Sequence, residues 1–556
     1  MKALSSKRKV PPTRKKRIWG CQFGMGIYQH TPLSKKRMDH LGWYVLPLLV
    51  CVGLTVDAAP FDDAEKSRVG YRKTWIQPKI SCRSLRSITT TEFTVVSAKI
   101  VDDVCRVSGV IPREIRFEVN LPAAWNGRMM MTGNGGLAGQ PPDGARYTAQ
   151  RNLILQFGFA TAYTDTGHDN RVEPGGSFAY NNLDKLLDFG YRGVHLTAVM
   201  AKQLIRKYYN RSENYSYFMG CSNGGRQALM AAQRFPSDFD GILAGAPAND
   251  FTGLKFSQAH RMNALADHPL SLSQVASLGA AIYDHCDVID GVEDGLINDP
   301  RACQFEPERD LPTCTSDEKS SVSSCYTREQ VQGLEQFYST VKVAGQAVYP
   351  AFPVGSEGSG PTYGGVIAPG WVPWVINPHG RPLLDVLGSE FFRYITYIVD
   401  EPDFNWNEFD FKSKPDNLDM ASDILDAVDP DLTEFERQGG KLLSYFGWAD
   451  PDINPLSAIH YFDQVQEVAD GEAGNFFRLF LVPGMFHCMG GPGPSDFDAI
   501  SPLIDWVEKG VAPESIAARH LQDKAVAFER PLCPYPQVIT YDGRGDVKEA
   551  SSFSCQ

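Results

Sequence analysis

The sequence predicts an α/β protein whose sheet is interrupted by a large insertion, and three observations carry that prediction. Short apolar runs at Arg128 to Met131, Tyr215 to Met219, Lys441 to Phe446 and Phe477 to Val482 read as buried strands. Directly behind the second run, Arg226 to Phe235, with Ala228, Leu229, Ala231 and Ala232, reads as a helix that packs on a sheet. About 175 residues then separate Ala248 and Asn249 from Leu425, far more than a strand-helix-strand crossover needs. A chain of 556 residues is also too long for a single hydrophobic core. The expected layout is a leader over 1–59, the first part of the α/β domain over 60–249, an inserted domain over 250–425 and the second part over 426–556.

The leader differs sharply from the rest. It holds 11 Lys or Arg against Asp39 and Asp57, which leaves 43 basic and 64 acidic residues in the remainder, a net charge near −21. Such a surface disfavours nucleic acid and anionic membrane as partners. Leu41 to Val56 is apolar but short and broken by Pro47, and Val56-Asp57-Ala58-Ala59 follows. It reads as a signal-peptide core cleaved near Ala58 or Ala59, with Met38 a more compact start than Met1. A signal anchor and a nuclear targeting run are the competing readings. Removing Cys21 and Cys51 with the leader leaves ten cysteines, an even number that fits a secreted, extracellular chain and opposes the nuclear reading. The sequons Asn210-Arg211-Ser212 and Asn214-Tyr215-Ser216 fit the same route, although Asn214 abuts a predicted strand. No stable membrane association is expected after cleavage.

The chemistry concentrates in three turns. Gly220-Cys221-Ser222-Asn223-Gly224-Gly225 lies between a strand and a helix, where a strained turn can expose a nucleophilic serine and its neighbours must be small. Serine needs a base, and the base needs an orienting carboxylate. Asp450 follows the third strand, with Asp452 as competitor, and His487 follows the fourth, so the chain order Ser222, Asp450, His487 suits this architecture. His487 carries Cys488 beside it as Ser222 carries Cys221, and a bond between those cysteines would fasten Ser222 to His487. An oxyanion needs two N–H donors, for which the amide of Asn223 and one from Thr132-Gly133-Asn134-Gly135-Gly136-Leu137 are candidates, with Gly135 the first choice. An ordinary turn is the alternative for that second segment.

Proline and glycine crowd residues 349–373, so the insertion is expected to be loop-rich and to form a lid over the serine. Within it, Asp287, Asp290 and Asp294 surround two turn-making glycines, and with the carbonyls of Val292 and Leu296 they could give calcium six or seven oxygens. The spacing is not that of an EF-hand, and a solvated acidic turn has the same composition. Trp371, Trp374, Phe391, Phe392, Tyr394, Phe404 and Trp406 could form a wall against an aromatic acid, but lid core is the simpler role and none is assigned a contact. No zinc, haem or nucleotide pattern is present.

Together, Gly220-Cys221-Ser222-Asn223-Gly224-Gly225, the turn from Gly447 to Asp450 and Pro483-Gly484-Met485-x-His487-Cys488-x-Gly490-Gly491 resemble the tannase and feruloyl esterase family, from about residue 75 to the C-terminus. That family, which includes a bacterial mono(2-hydroxyethyl) terephthalate hydrolase, consists of secreted α/β-hydrolases with a large inserted lid that cleave esters of aromatic acids. The resemblance implies an α/β-hydrolase fold, a Cys221–Cys488 disulfide and structural calcium at the Asp287 to Leu296 motif. With local spacing it also implies pairs Cys82–Cys105, Cys286–Cys303, Cys314–Cys325 and Cys533–Cys555. The segments from Thr164 to His168 and from Phe189 to His195 look like family segments with structural roles. Thr132 and Asn134 interrupt a loop that is nearly all glycine in relatives, and Phe446 stands where relatives often have histidine. The implied activity is a serine carboxylic ester hydrolase on feruloyl or other hydroxycinnamoyl esters of plant-wall polysaccharide such as xylan, with galloyl esters of tannins as the alternative. An inactive hydrolase scaffold used for binding and a serine peptidase are the rivals from other classes.

Overall fold

The protein is described by a computed structural model covering residues 60–71, 75–314, 325–363, 366–396 and 399–556; the leader and its signal segment lie outside the described residues. Nine strands form the central sheet: β1 (Thr94–Val101), β2 (Val104–Ile111), β3 (Ile115–Pro122), β4 (Arg128–Thr132), β5 (Ala160–Thr164), β6 (Tyr215–Cys221), β7 (Gly241–Gly245), β8 (Lys441–Gly447) and β9 (Phe477–Val482). Their spatial order is β1-β2-β3-β5-β4-β6-β7-β8-β9. The first three are antiparallel to their neighbours, and β5 to β9 run parallel. Parallel strands must be covered on both faces. Adjacent residues here accordingly serve opposite cores: Leu442 and Leu479 join one hydrophobic cluster, while Leu443 and Phe480 join the other.

The strands predicted from the apolar runs are β4, β6, β8 and β9, and the helix Asn223–Arg234 starts on the residue after Ser222. The insertion departs from the expected loop-rich chain. It contains the helices Phe251–Ala266, Leu272–Cys286, Arg328–Tyr338, Leu383–Tyr394 and Leu418–Leu425. Two of them start with capping boxes, Ser271 with Gln274 and Thr327 with Gln330, which satisfy otherwise orphaned N–H groups. Even the Pro/Gly-rich stretch forms a hairpin, Ser359–Tyr363 with Val366–Pro369. Leu278, Val331, Phe337 and Trp371 build a third hydrophobic cluster inside the insertion. Phe391, Phe392 and Trp406 instead join the main core, so the described residues of the insertion are continuous with the sheet packing.

All five cysteine pairs expected from the resemblance are disulfides, Cys82–Cys105, Cys221–Cys488, Cys286–Cys303, Cys314–Cys325 and Cys533–Cys555. Asn210 and Asn214 are both exposed. No helix among the described residues is long and apolar enough to cross a membrane.

Candidate active site

Ser222 sits at the C-terminal end of β6 with φ +66° and ψ −125°, a conformation costing a non-glycine residue on the order of 1–3 kcal/mol. The surrounding structure over-determines it. Its N–H donates to the Gly245 carbonyl at 3.0 Å, and its carbonyl accepts from the Ala248 N–H at 3.2 Å. The flanking glycines are required by close approach: a Cβ on Gly220 would lie 2.6 Å from the Gly224 carbonyl oxygen, and one on Gly225 would lie 2.5 Å from that of Gly245.

The other two turns converge on the same sheet edge. The Trp448 N–H donates to the Val482 carbonyl at 2.9 Å and the Ala449 N–H to that of Met485 at 3.1 Å, which zips the turn after β8 to the turn after β9. His487 Nδ1 lies 2.7 Å from Asp450 Oδ2, while Asp450 Oδ1 accepts the N–H groups of Asp452 and Ile453 at 2.9 and 3.0 Å. Asp450 is therefore the carboxylate that meets the imidazole, and its competitor Asp452 takes a different set of partners. Burial works against the imidazolium of His487, but the adjacent carboxylate of Asp450, supported by Asp452, outweighs it and raises the pKa above its ordinary value.

The Cys221–Cys488 bond holds its two Cα atoms 6.1 Å apart across a separation of 267 residues. Ser222 and His487 are their immediate neighbours, so their Cα atoms lie within about 14 Å of each other.

Asn223 and the glycine-rich loop are locked together. The Asn223 Oδ1 accepts from Arg226 Nε at 2.8 Å, and its Nδ2 donates to the Asn134 carbonyl at 3.3 Å. Arg226 is fully buried and donates three further hydrogen bonds, to the carbonyls of Phe189, Gly190 and Leu425, which gives the start of the Phe189 to His195 segment a structural role. In the loop, the Gly133 N–H goes to Met219 and the Asn134 N–H to Gln227 Oε1 at 2.9 Å. Asn134 Nδ2 also donates to Tyr163 Oη and the Thr164 carbonyl, at 2.8 and 3.0 Å. The asparagine that interrupts the loop is thus a tether. No acceptor among the described residues takes the Gly135 N–H, and a Cβ on Gly135 would meet only open space. His168 fixes the far end of the loop: its Nε2 lies 3.1 Å from the Leu137 carbonyl, and burial lowers its pKa to about 4.

A cavity of about 240 Å³ opens beside this loop, walled by Gly135, Arg146, Tyr147, Tyr163, Gly220 and Tyr445, among others. Tyr147 and Tyr163 stack at 3.9 Å between ring centroids. From the insertion, Trp374 presents its ring edge-on to His487 at 5.1 Å, and a methyl on Gly136 would touch Leu387. Of the seven aromatic residues of the insertion singled out by the sequence, Trp374 is the one whose ring meets His487.

The Asp287 to Leu296 loop places Gly291 and Gly295 at positive φ, as turn-making glycines should be. Asp287 accepts the N–H groups of Asp294, Gly295 and Leu296, and Asp294 pairs with Arg530 at 2.5 Å. Among the described residues, no three acidic, His or Cys side chains are grouped to hold a metal. The donor set is nevertheless all oxygen, with burial and mutual repulsion pushing Asp290 up to about 6, an arrangement that a hard cation would relieve. In ligand type alone, the carboxylate oxygens suit calcium.

A mixed sheet whose parallel part carries a strained serine turn, an Asp-supported histidine and a glycine-rich loop at the C-terminal ends of its strands defines an α/β-hydrolase. Residues 98–556 match the tannase and feruloyl esterase family. The chain is 33% identical over 521 residues to mono(2-hydroxyethyl) terephthalate hydrolase of Piscinibacter sakaiensis, with 83% of this chain and 86% of that protein covered. It is 32% identical over 483 residues to a probable feruloyl esterase B of Aspergillus niger, covering 82% and 87% respectively. The crystal structure of feruloyl esterase B from Aspergillus oryzae superposes with a TM-score of 0.72 at 27% identity, over 86% of this chain and all of that one. The chain belongs to the tannase and feruloyl esterase family and is a carboxylic ester hydrolase.

Proposed function

We propose that the protein is a secreted serine esterase acting on esters of aromatic acids, foremost feruloyl and related hydroxycinnamoyl esters linked to plant-wall polysaccharide. The observation that carries this reading is the 2.7 Å contact of Asp450 with His487, together with the disulfide that joins the neighbours of His487 and Ser222. His487 takes the proton of the Ser222 hydroxyl as Ser222 attacks the ester carbonyl. The N–H groups of Asn223 and Gly135 receive the oxyanion, and Asp450 holds the imidazole tautomer and stabilises its charged form. The protonated imidazole gives its proton to the leaving alcohol. Water, deprotonated by His487, then hydrolyses the acyl-enzyme.

The residues of 250–425 act as the lid, with Trp374 excluding water from the His487 side. The relatives named feruloyl esterase B support the acyl group, and the aromatic wall of Tyr147 and Tyr163 suits it. The loop from Asp287 to Leu296 would hold structural calcium through Asp287, Asp290, Asp294 and the carbonyls of Val292 and Leu296. Chelation should then lower the melting temperature, and calcium should restore it while magnesium does not. The five disulfides and the two exposed sequons support secretion.

Parallel assays on methyl ferulate, methyl gallate and a peptide amide test the substrate. Turnover of the ferulate ester above the other two, falling at least about 10³-fold in Ser222→Ala, is expected. Preference for gallate moves the assignment to tannin esters, and a wild-type protein inert on all three supports a binding scaffold.

A further inference from the structure

Asp452, set aside by the imidazole in favour of Asp450, is not idle. It is 3% exposed, and its Oδ1 accepts a hydrogen bond from Gln258 Nε2 at 2.7 Å. Gln258 belongs to Phe251–Ala266, the first helix of the insertion, and is itself 0% exposed. Its Oε1 in turn accepts from Lys255 Nζ at 3.1 Å. One helical turn further on, Arg261 donates to the Pro451 carbonyl at 2.9 Å and to the Asp452 carbonyl at 2.6 Å. Residues 255, 258 and 261 follow a spacing of three, which places them along one side of the helix.

Four charged groups are buried together at this spot: the carboxylates of Asp450 and Asp452 and the cations of Lys255 and Arg261. Burying an ion is costly unless it is paired and hydrogen-bonded, so a sequence that only needed a lid helix to pack would place apolar residues here. Lys255 and Arg261 also lie over the rings of Phe251 and Phe352, at 4.7 and 4.1 Å, so each cation has an aromatic face beside its hydrogen bonds. The cluster reaches the reacting groups through a short path. The backbone N–H of Asp452 is one of the two that hold Asp450 Oδ1, and Asp450 Oδ2 meets His487. Around the imidazole, burial and the Arg146 cation oppose the protonated form, while the Asp452 charge, after that of Asp450, favours it.

We propose that Asp452 and Gln258 are positioning residues for the esterase reaction: Gln258, reaching from the insertion, anchors Asp452, which fixes the turn that presents Asp450 and adds a second negative charge behind the imidazolium of His487. Lys255 and Arg261 keep that second charge affordable in a dry site. The helix that begins the lid is thereby part of the acid-base apparatus as well as a cover. The inference rests on the reading of Ser222, His487 and Asp450 as the reacting groups, but it can be tested without turnover.

The test follows the ring of His487 by NMR across pH in the full chain, wild type and the variants Asp452→Asn, Gln258→Ala and the double variant, with the signal assigned through His487→Gln. Asp452→Asn preserves the side-chain shape, and circular dichroism with thermal melts establishes that each variant is folded. The expected result is a His487 titration moved to lower pH by about half a unit or more in Asp452→Asn and by a smaller amount in Gln258→Ala. The double variant should be no further displaced than Asp452→Asn alone. On a simple aryl ester, kcat should fall about 5- to 10-fold with KM within about twofold, and the acid limb of the rate profile should move with the titration. A His487 titration that superimposes on wild type in folded Asp452→Asn would overturn the proposal, as would additive shifts in the double variant. If the wild type hydrolysed no ester, the esterase reading would fail while the titration still decided whether Asp452 acts on His487.

Discussion

At Ser222 the backbone is held at φ +66° so that the side chain stands at the edge of the sheet, and the small residues around it exist to let that happen. In the proposed mechanism His487 acts as a base only when neutral, and although burial works against its charged form, the Asp450 carboxylate raises its pKa. The acid limb of kcat/KM should therefore lie above the ordinary histidine value of about 6.5, and Asp450→Asn should pull it down while lowering kcat by about 10³-fold or more. A pH-rate profile of both proteins checks this. Ser222 and His487 were legible in the sequence because each stands in a glycine-framed string beside a cysteine. The choice between Asp450 and Asp452 rested on position after a strand, and hydrogen bonds now separate them, with Asp450 on the imidazole and Asp452 on Gln258. In the glycine-rich loop the N–H groups of Gly133 and Asn134 are engaged elsewhere and that of Gly135 is not, a distinction that no string could give. Trp374 could not be singled out from six other aromatics, since proximity to His487 depends on how the insertion folds back and leaves no local mark.

Among the elements, the turns after β6, β8 and β9 form one unit sewn by backbone hydrogen bonds and by the Cys221–Cys488 bond. That disulfide closes a loop of more than 260 residues, for which the chain-entropy view gives a stabilisation of about 5 kcal/mol. The double change Cys221→Ser with Cys488→Ser should lower the melting temperature and cut kcat more than KM, because the bond joins the turns that carry Ser222 and His487. Removing the Cys82–Cys105 pair, remote from these turns and closing a short loop, should lower stability with little change in kcat. Differential scanning fluorimetry with steady-state kinetics on both variants measures the contrast. Four of the six parallel strands, β4, β6, β8 and β9, were legible as short, largely apolar runs leading into glycine-containing turns, whereas β5 and β7 were not read from the sequence. The insertion was not legible, because the density of proline and glycine in 349–373 drew the reading toward loops, hiding a hairpin and the helices around it, two of which start at capping boxes.

For the whole molecule, several carboxyl groups are buried and favour the protonated form. Burial raises Asp165 and Glu357 to about 7, Asp188 to about 6 and Asp250 to about 8. A group whose folded pKa exceeds its unfolded value contributes stability that is complete below the unfolded value and is lost as pH rises through the folded one. For these four groups that window runs from about pH 4 to pH 8. The net charge near −21 outside the leader adds self-repulsion in the same direction. The melting temperature should accordingly decline from pH 5 to pH 8, as a buffer series will show, and a flat or rising profile would count against the buried protonated carboxyls. The measurement that bears most directly on the reacting serine is mass spectrometry of the protein after reaction with a phosphonofluoridate. A single adduct on the peptide containing Ser222, absent from Ser222→Ala and slowed in His487→Gln, is the expected result; an unmodified wild-type protein, or an adduct on another residue, would contradict it.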